Sequence, residues 1–194
     1  MKKYTKTLLP VRRRGWTFIE LLITIVILAI AALYVAPQAS SGASASGQSV
    51  TRLAVTEILA AQMDAVALQE FRRIHFFGDG SGWCVEVLES SQLNAPYNAA
   101  TAKYADDAFE SQGHNQKSFI DFSQDTRFTN ISISSPLFDG ANTSIIFDQT
   151  GGVIAPNGSP STGGSFKVQS GDHAWQVQLA PLTGRVTVVK VGTP

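Results

Sequence analysis

The sequence has one cysteine and three widely spaced histidines, which limits the chemistry that it can carry. Cys84 has no partner, so an intrachain disulfide and a cysteine-rich zinc site are both excluded. We expect a small buried residue at Cys84, with a reactive thiol or an intermolecular bridge as the open alternatives. The histidines, His75, His114 and His173, lack metal-binding spacing, and no nucleophile elbow or phosphate-binding glycine loop is present. We therefore predict no catalytic residue, metal or cofactor, and a membrane-anchored hydrolase is only a weak alternative.

Charge is also scarce and unevenly placed, at 15% of residues. Residues 1–15 contain no acid and six cations, namely Lys2, Lys3, Lys6, Arg12, Arg13 and Arg14. The whole chain has 15 basic and 15 acidic residues. With six of the basic residues in positions 1–15, residues 16–194 contain nine basic and 15 acidic residues and carry a charge of −6. A negative body argues against general nucleic-acid binding, which depends on neutralising phosphates.

An uncharged segment follows these cations. From Gly15 to Thr51 the single charged residue is Glu20, and Leu21 to Ala36 reads LLITIVILAIAALYVA. With the residues just before it, this run gives about twenty positions, and a helix of that length spans ~30 Å, the thickness of a bilayer core. The preceding cations predict a cytoplasmic N-terminus. We therefore expect a membrane-spanning helix at 16–37 and a body on the opposite side.

A secretory signal and a plain membrane anchor are the two other interpretations of this segment. A secretory signal would have a cleavage site at Ala43-Ser44-Ala45, but the apolar run is longer than the 7–15 residues typical of such signals. A plain anchor explains the length, yet a carboxylate at membrane depth costs about 2.5–3.5 kcal/mol. Neither alternative accounts for Glu20.

The octapeptide around this position resembles the signal of type IV prepilins and type II secretion pseudopilins: Arg14-Gly15-Trp16-Thr17-Phe18-Ile19-Glu20-Leu21. The resemblance implies a leader at 1–15, cleavage between Gly15 and Trp16 by a prepilin peptidase, and N-methylation of Trp16. Glu20 would neutralise the new α-amine of a neighbouring subunit during assembly. Trp16 departs from the family, which usually has Phe there, and Pro37 matches a helix-kinking proline.

The resemblance also implies partners and a location. The partners are the prepilin peptidase and N-methyltransferase, other pilin or pseudopilin subunits, the inner-membrane assembly platform and the membrane itself. The expected location is the bacterial inner membrane, with a cytoplasmic N-terminus and a periplasmic C-terminal domain, followed by a pilus or pseudopilus.

The residue pattern predicts an α+β fold, and the resemblance implies a type IV pilin-like arrangement of one long N-terminal helix on an antiparallel sheet. Residues 38–49, rich in Ser, Gly and Ala, are interpreted as a hinge, with a simple linker as the alternative. An amphipathic second half of the helix is predicted at 50–77, with Val55, Ile58, Leu59, Met63 and Val66 on its buried face. Residues 78–194 are predicted to be β-rich, with strands at 83–88, 119–122, 128–133, 144–147, 166–169, 174–179 and 186–189.

The last fifty residues carry a weaker resemblance. Ser144 to Gly152 and Thr183-Gly184-Arg185-Val186 are similar to the C-terminal domain of H-type minor pseudopilins, fimbrial T-type minor pilins and mannose-sensitive haemagglutinin pilus proteins. This implies a minor subunit with a role in filament initiation, at the tip or in assembly. The alternative function is a DNA-binding minor pilin for natural transformation, which would use Lys167, Arg185 and Lys190. A further acidic cluster, Asp106, Asp107 and Glu110, is expected to be a solvated loop rather than a calcium site.

Overall fold

The computed structural model describes residues 17–107, 117–125, 128 and 130–192, and for 32–43 it describes the backbone alone. The chain divides into two units, Met1–Ser40 and Ser41–Pro194. The leader with Gly15 and Trp16, and the later residues Glu110 and His114, lie outside the described residues.

The α-helix α1 spans Phe18–Leu68 and contributes to both units. It includes residues 38–49, so the prediction of a simple linker there is wrong, while the hinge at 38–49 and the kink at Pro37 stay predictions. Gly47 is buried, and a Cβ at this position would overlap the ring of Trp175. The small residue therefore lets the helix approach the sheet closely.

The second part of α1 packs through a stripe of mainly small residues. Val50, Ala54, Ile58, Ala61 and Ala65 are all buried, and their spacing of three and four residues places them on one helix face. The sequence-based choice of the buried face was wrong for three larger side chains, which remain exposed: Leu59, Met63 and Val66. Aromatic side chains from the sheets occupy the core, and alanines on α1 leave them the space.

The helix ends earlier than predicted. Its last residue is Leu68, and Gln69 has a positive φ of 53° that stops the helix. The Gln69 amide nitrogen Nε2 donates to the Val66 carbonyl at 2.8 Å and to the Gln149 carbonyl at 3.0 Å. The predicted helix at 71–77 is wrong because Phe71–Phe76 is strand β1. Its alternating apolar residues pack inward while its backbone pairs with two neighbouring strands.

Two antiparallel sheets make up the rest of the second unit. The remaining strands are β2 (Gly82–Leu88), β3 (Phe119–Asp121), β4 (Ile131–Phe138), β5 (Ser144–Phe147), β6 (Val153–Ile154), β7 (Gly164–Ser170), β8 (His173–Leu179) and β9 (Val186–Val191). A short 3₁₀ helix covers Ser90–Gln92. The first sheet has the order β3-β2-β1-β5-β6, and the second has the order β4-β7-β8-β9. The predicted α+β class is confirmed, although β4 begins later than expected and β6 was missed.

An aromatic cluster joins the two sheets. The Phe76 ring lies 4.6 Å from Phe166, 5.9 Å from Phe138 and 6.4 Å from Trp83, measured between ring centroids. All four side chains are buried. Because each ring buries a large apolar area, this cluster helps to hold the two sheets together.

One polar side chain of α1 ties two turns to the helix. Gln62 Nε2 donates to the Gly151 carbonyl at 2.7 Å and to the Thr183 carbonyl at 3.1 Å. Gly184, next to the second turn, has a φ of +64° and lies close to Phe147. The predicted turn at Thr183-Gly184 is therefore both a strand connection and a contact with the helix.

Candidate functional site: the N-terminal helix

The start of α1 is set by Thr17. Its carbonyl accepts hydrogen bonds from the amides of Glu20 at 3.1 Å and Leu21 at 3.2 Å, and its hydroxyl lies 3.4 Å from the Glu20 amide. Threonine is a favourable N-cap because its oxygen satisfies amides that have no partner within the helix. Glu20 lies in the first turn, where a negative charge is favoured by the helix dipole.

The described part of α1 in the first unit is apolar on every side. Phe18 is 82% exposed, and nine further large apolar side chains are also exposed: Ile19, Leu21, Leu22, Ile23, Ile25, Val26, Ile27, Leu28 and Ile30. These positions, interrupted by the polar residues Glu20 and Thr24, cover all directions around a helix of 3.6 residues per turn. A helix that is hydrophobic all round is typical of one that is buried by other molecules or by lipid. Within the described residues, no helix combines the length and the apolar content that a membrane crossing requires.

Glu20 is the one ionisable group in this surface. Its side chain is exposed, and no ion pair to it occurs among the described residues. A hydroxyl one turn later, that of Thr24, donates to the Leu21 carbonyl at 2.8 Å and so is already satisfied. Glu20 is therefore the group in this apolar segment that can bind a cation from another chain.

Cys84 and His75 lie side by side in the first sheet. This thiol is buried on β2 directly opposite His75 on β1, and the His75 ring stacks on Tyr97 at 4.3 Å. Burial, more than the nearby Glu86, raises the pKa of Cys84 to about 12. Burial, aided by Arg73, lowers the pKa of His75 to about 4. At neutral pH the pair is a protonated thiol beside a neutral imidazole, so it provides no activated nucleophile.

The basic residues considered for DNA do not share one face of the second sheet. Lys167 of β7 lies opposite Gln176, which lies opposite Val189 of β9. Lys190 is the next residue along β9, so it points to the other face. The structure thus separates two of the three cations that the DNA-binding alternative would use.

The acidic cluster is likewise divided. The Lys117 ammonium donates to Asp106 at 2.5 Å, whereas Asp107 is buried. Within the described part of the chain, no group of three or more His, Cys, Asp or Glu side chains has the placement needed to hold a metal ion.

Sequence reasoning missed one exposed feature of α1. Leu59, Met63 and Val66 form an apolar stripe at helical spacing, and Met63 is 70% exposed. The signal that could have identified it is the parallel stripe of alanines, because small residues permit closer packing against a sheet than large ones do.

Residues 11–36 match the family model described as the prokaryotic N-terminal methylation motif. No curated protein and no solved structure matches the chain. The matched segment includes Gly15, Trp16 and Glu20, and it makes the chain type IV prepilin- or pseudopilin-like. The motif implies processing by a prepilin peptidase and membrane-associated assembly with other pilins.

Proposed function

We propose that the chain is a structural minor pilin or pseudopilin, not an enzyme, that is cleaved after Gly15 and methylated on Trp16. Before assembly, residues 16–37 hold it in the bacterial inner membrane with its N-terminus in the cytoplasm and its β-rich domain in the periplasm. It then joins a type IV pilus or a type II secretion pseudopilus. The observation that carries this proposal is an N-terminal helix that is apolar on every side except for one carboxylate in its first turn.

The role of Glu20 follows from the cost of burying a charge. A carboxylate within a bilayer is unfavourable by about 2.5–3.5 kcal/mol on insertion scales. Cleavage before Trp16 creates an α-amine, which is the complementary charge. Pairing Glu20 with the amine of a neighbouring subunit reduces this cost for both groups and favours one axial register.

The exposed stripe on the second part of α1 supports assembly as well. Leu59, Met63 and Val66 lie side by side on a helix whose opposite face is already packed against the sheets. Scattered exposed apolar residues are ordinary, but a contiguous stripe indicates an interaction surface. We infer that this stripe contacts a neighbouring subunit in the filament.

The assignment to a minor subunit, with a role in initiation, at the tip or in assembly, rests on the β-rich domain. The features that support it are the strand Ser144–Phe147, which ends in Phe, and the Thr183-Gly184 turn before β9, because the sequence resemblance to H-type and T-type minor subunits rests on these elements. The alternative, DNA uptake, is less favoured because Lys167 and Lys190 point to opposite faces of their sheet.

Mass spectrometry of the full chain produced together with a prepilin peptidase tests the processing step. We expect a mature chain that lacks residues 1–15 and begins with Trp16 carrying one added methyl group. A Gly15→Val variant, which adds bulk beside the scissile bond, should remain uncut. An uncut wild-type chain, or one that begins near Ser46 after a secretory cleavage, would contradict the proposal.

A second experiment separates assembly from processing. In a host with a pilus or pseudopilus machine, Glu20→Gln should be processed normally but should be lost from the sheared filament fraction, because the amide cannot pair with the α-amine. Thr24→Val, which removes a polar group one turn later, is the matched control and should assemble. Normal recovery of Glu20→Gln in filaments would refute the proposed pairing.

A further inference from the structure

The four edges of the two sheets differ in how they are protected. Strands β3 and β6 are only three and two residues long. Strand β4 is longer but contains Pro136, has a register shift between Ser134 and Leu137, and donates its Ile133 amide to the Gly80 carbonyl at 2.9 Å. Short strands, prolines and bulges are the devices that prevent a sheet edge from pairing with another chain.

The fourth edge, β9, is six residues long and contains no proline or bulge, and Lys190 is the one charged residue within it. Its six residues pair continuously with β8, and no strand lies on its other side in the described part of the chain. The Ala180 amide donates to the Arg185 carbonyl at 2.9 Å, which identifies residues 180 and 185 as a hydrogen-bonded pair. Because such pairs alternate along an antiparallel ladder, the backbone groups of Val186, Val188 and Lys190 point away from β8.

A groove lies beside this open edge. It has a volume of about 520 Å³ and runs between α1 and the end of the second sheet, with Val55, Trp175 and Val188 as its apolar lining. Val188 lies opposite Val177, whose side chain is buried, so both side chains are on the face of the sheet that borders the groove. Val188 itself remains 42% exposed. An added strand would therefore hydrogen-bond to β9 and place every second side chain over the groove.

The charges around the groove favour one kind of strand. Arg52 of α1 lines the groove, and none of the described residues that line it is acidic. Lys190 lies opposite Trp175 on the same face of the sheet, and exposed Arg185 immediately precedes β9. A second copy of β9 would bring two such sets of cations together, whereas a strand with a carboxylate would neutralise them.

We propose that β9 is a docking edge for an extended segment of a different protein chain, which adds to the second sheet as a fifth strand. The segment has apolar side chains at alternate positions and at least one carboxylate that meets Arg52 or Lys190. Its amides and carbonyls pair with the outward backbone groups of Val186, Val188 and Lys190. This inference does not depend on cleavage after Gly15 or on the role of Glu20.

The test is binding of synthetic strand peptides to the full chain in a non-denaturing detergent, followed by fluorescence anisotropy. The probe is a labelled peptide of alternating valine and threonine with one valine replaced by glutamate, so that the carboxylate lies on the same face as the remaining valines. One control peptide has lysine in place of glutamate, and another carries N-methyl groups on alternate amides. We expect saturable binding of the glutamate peptide and binding about tenfold weaker for each control, a difference of about 1.4 kcal/mol.

Three variants locate the site. Val188→Pro removes an outward amide without breaking the β8 ladder and should weaken binding about tenfold, as should the charge reversal Lys190→Glu. Val189→Thr, on the opposite face of the same strand, is the matched control and should bind normally. Unchanged thermal unfolding of each variant shows that β9 is still folded.

Several results would overturn the proposal. They are no saturable binding of the glutamate peptide, equal binding of the lysine peptide, or full binding by Val188→Pro. A wild-type dimer in detergent-corrected mass measurements that Val188→Pro abolishes would also overturn it, because the occupant would then be a second copy of β9. None of these results would bear on N-terminal processing.

Discussion

The ion pair between Arg73 and Glu86 allows a quantitative prediction about the first sheet. The two side chains lie opposite each other on β1 and β2, with Arg73 Nε 2.8 Å from Glu86 Oε1 and with side-chain exposures of 6% and 4%. Arg73 Nη1 also donates to the Ala95 carbonyl at 2.6 Å, which ties the following loop to the sheet. Both charges are therefore removed from water and depend on each other for compensation.

Removing one partner leaves the other charge buried without compensation. For Glu86→Ala we expect the free energy of unfolding to fall by about 3–5 kcal/mol, the range measured when a buried ion pair is broken on one side. The double variant Arg73→Met/Glu86→Leu should lose much less, because two apolar groups of similar size need no charge compensation. The single variants Arg73→Met and Glu86→Leu should each lose more stability than the double variant, so the effects of the two changes should be strongly non-additive.

The assay is urea unfolding of the full chain in a non-denaturing detergent, monitored by the emission of the buried tryptophans Trp83 and Trp175. A second readout is the pKa of His75 by NMR, which should rise in Arg73→Met because Arg73 contributes to lowering it. A loss below about 1 kcal/mol for Glu86→Ala, typical of a solvent-exposed pair, would refute the reasoning that burial makes this pair interdependent.

Three further predictions concern other buried positions. Gly47→Ala should lower the unfolding free energy by about 1–3 kcal/mol because its new Cβ overlaps the Trp175 ring, whereas Gly78→Ala, with nothing within 4 Å, should change it little; urea unfolding compares them. Burial raises the pKa of Glu57 in the folded state, so the folded chain binds its proton more tightly and stability falls as pH rises from the ordinary carboxyl range through the raised pKa. Glu57→Gln should flatten this part of the stability profile, and an unchanged profile would contradict that cause. Cys84, with a pKa near 12 and no exposure, should resist iodoacetamide at neutral pH until urea unfolds the chain, as mass spectrometry can show.

The strand predictions in the second unit succeeded where the residue pattern is local. Ser144–Phe147 was predicted with its exact bounds, and β8 and β9 were predicted within a few residues, because alternating apolar residues between turn signals specify a strand. β1 was missed because no Gly or Pro separates Phe71 from the helix. Its strand conformation depends on pairing with β2 and β5, which are distant in sequence.

The sequence by itself determined the N-terminal part of this protein. Six cations, one apolar run and Glu20 lie within a single short segment, and their order along the chain predicts both the helix and the methylation motif at residues 11–36. Tertiary structure alone decided which face of α1 is buried, and it selected the alanine stripe over Leu59, Met63 and Val66. It also left β9 as an edge strand beside a groove, with no further strand paired to it among the described residues. Both outcomes depend on which distant residues pack together, and a local pattern of apolar residues contains no information about its partners.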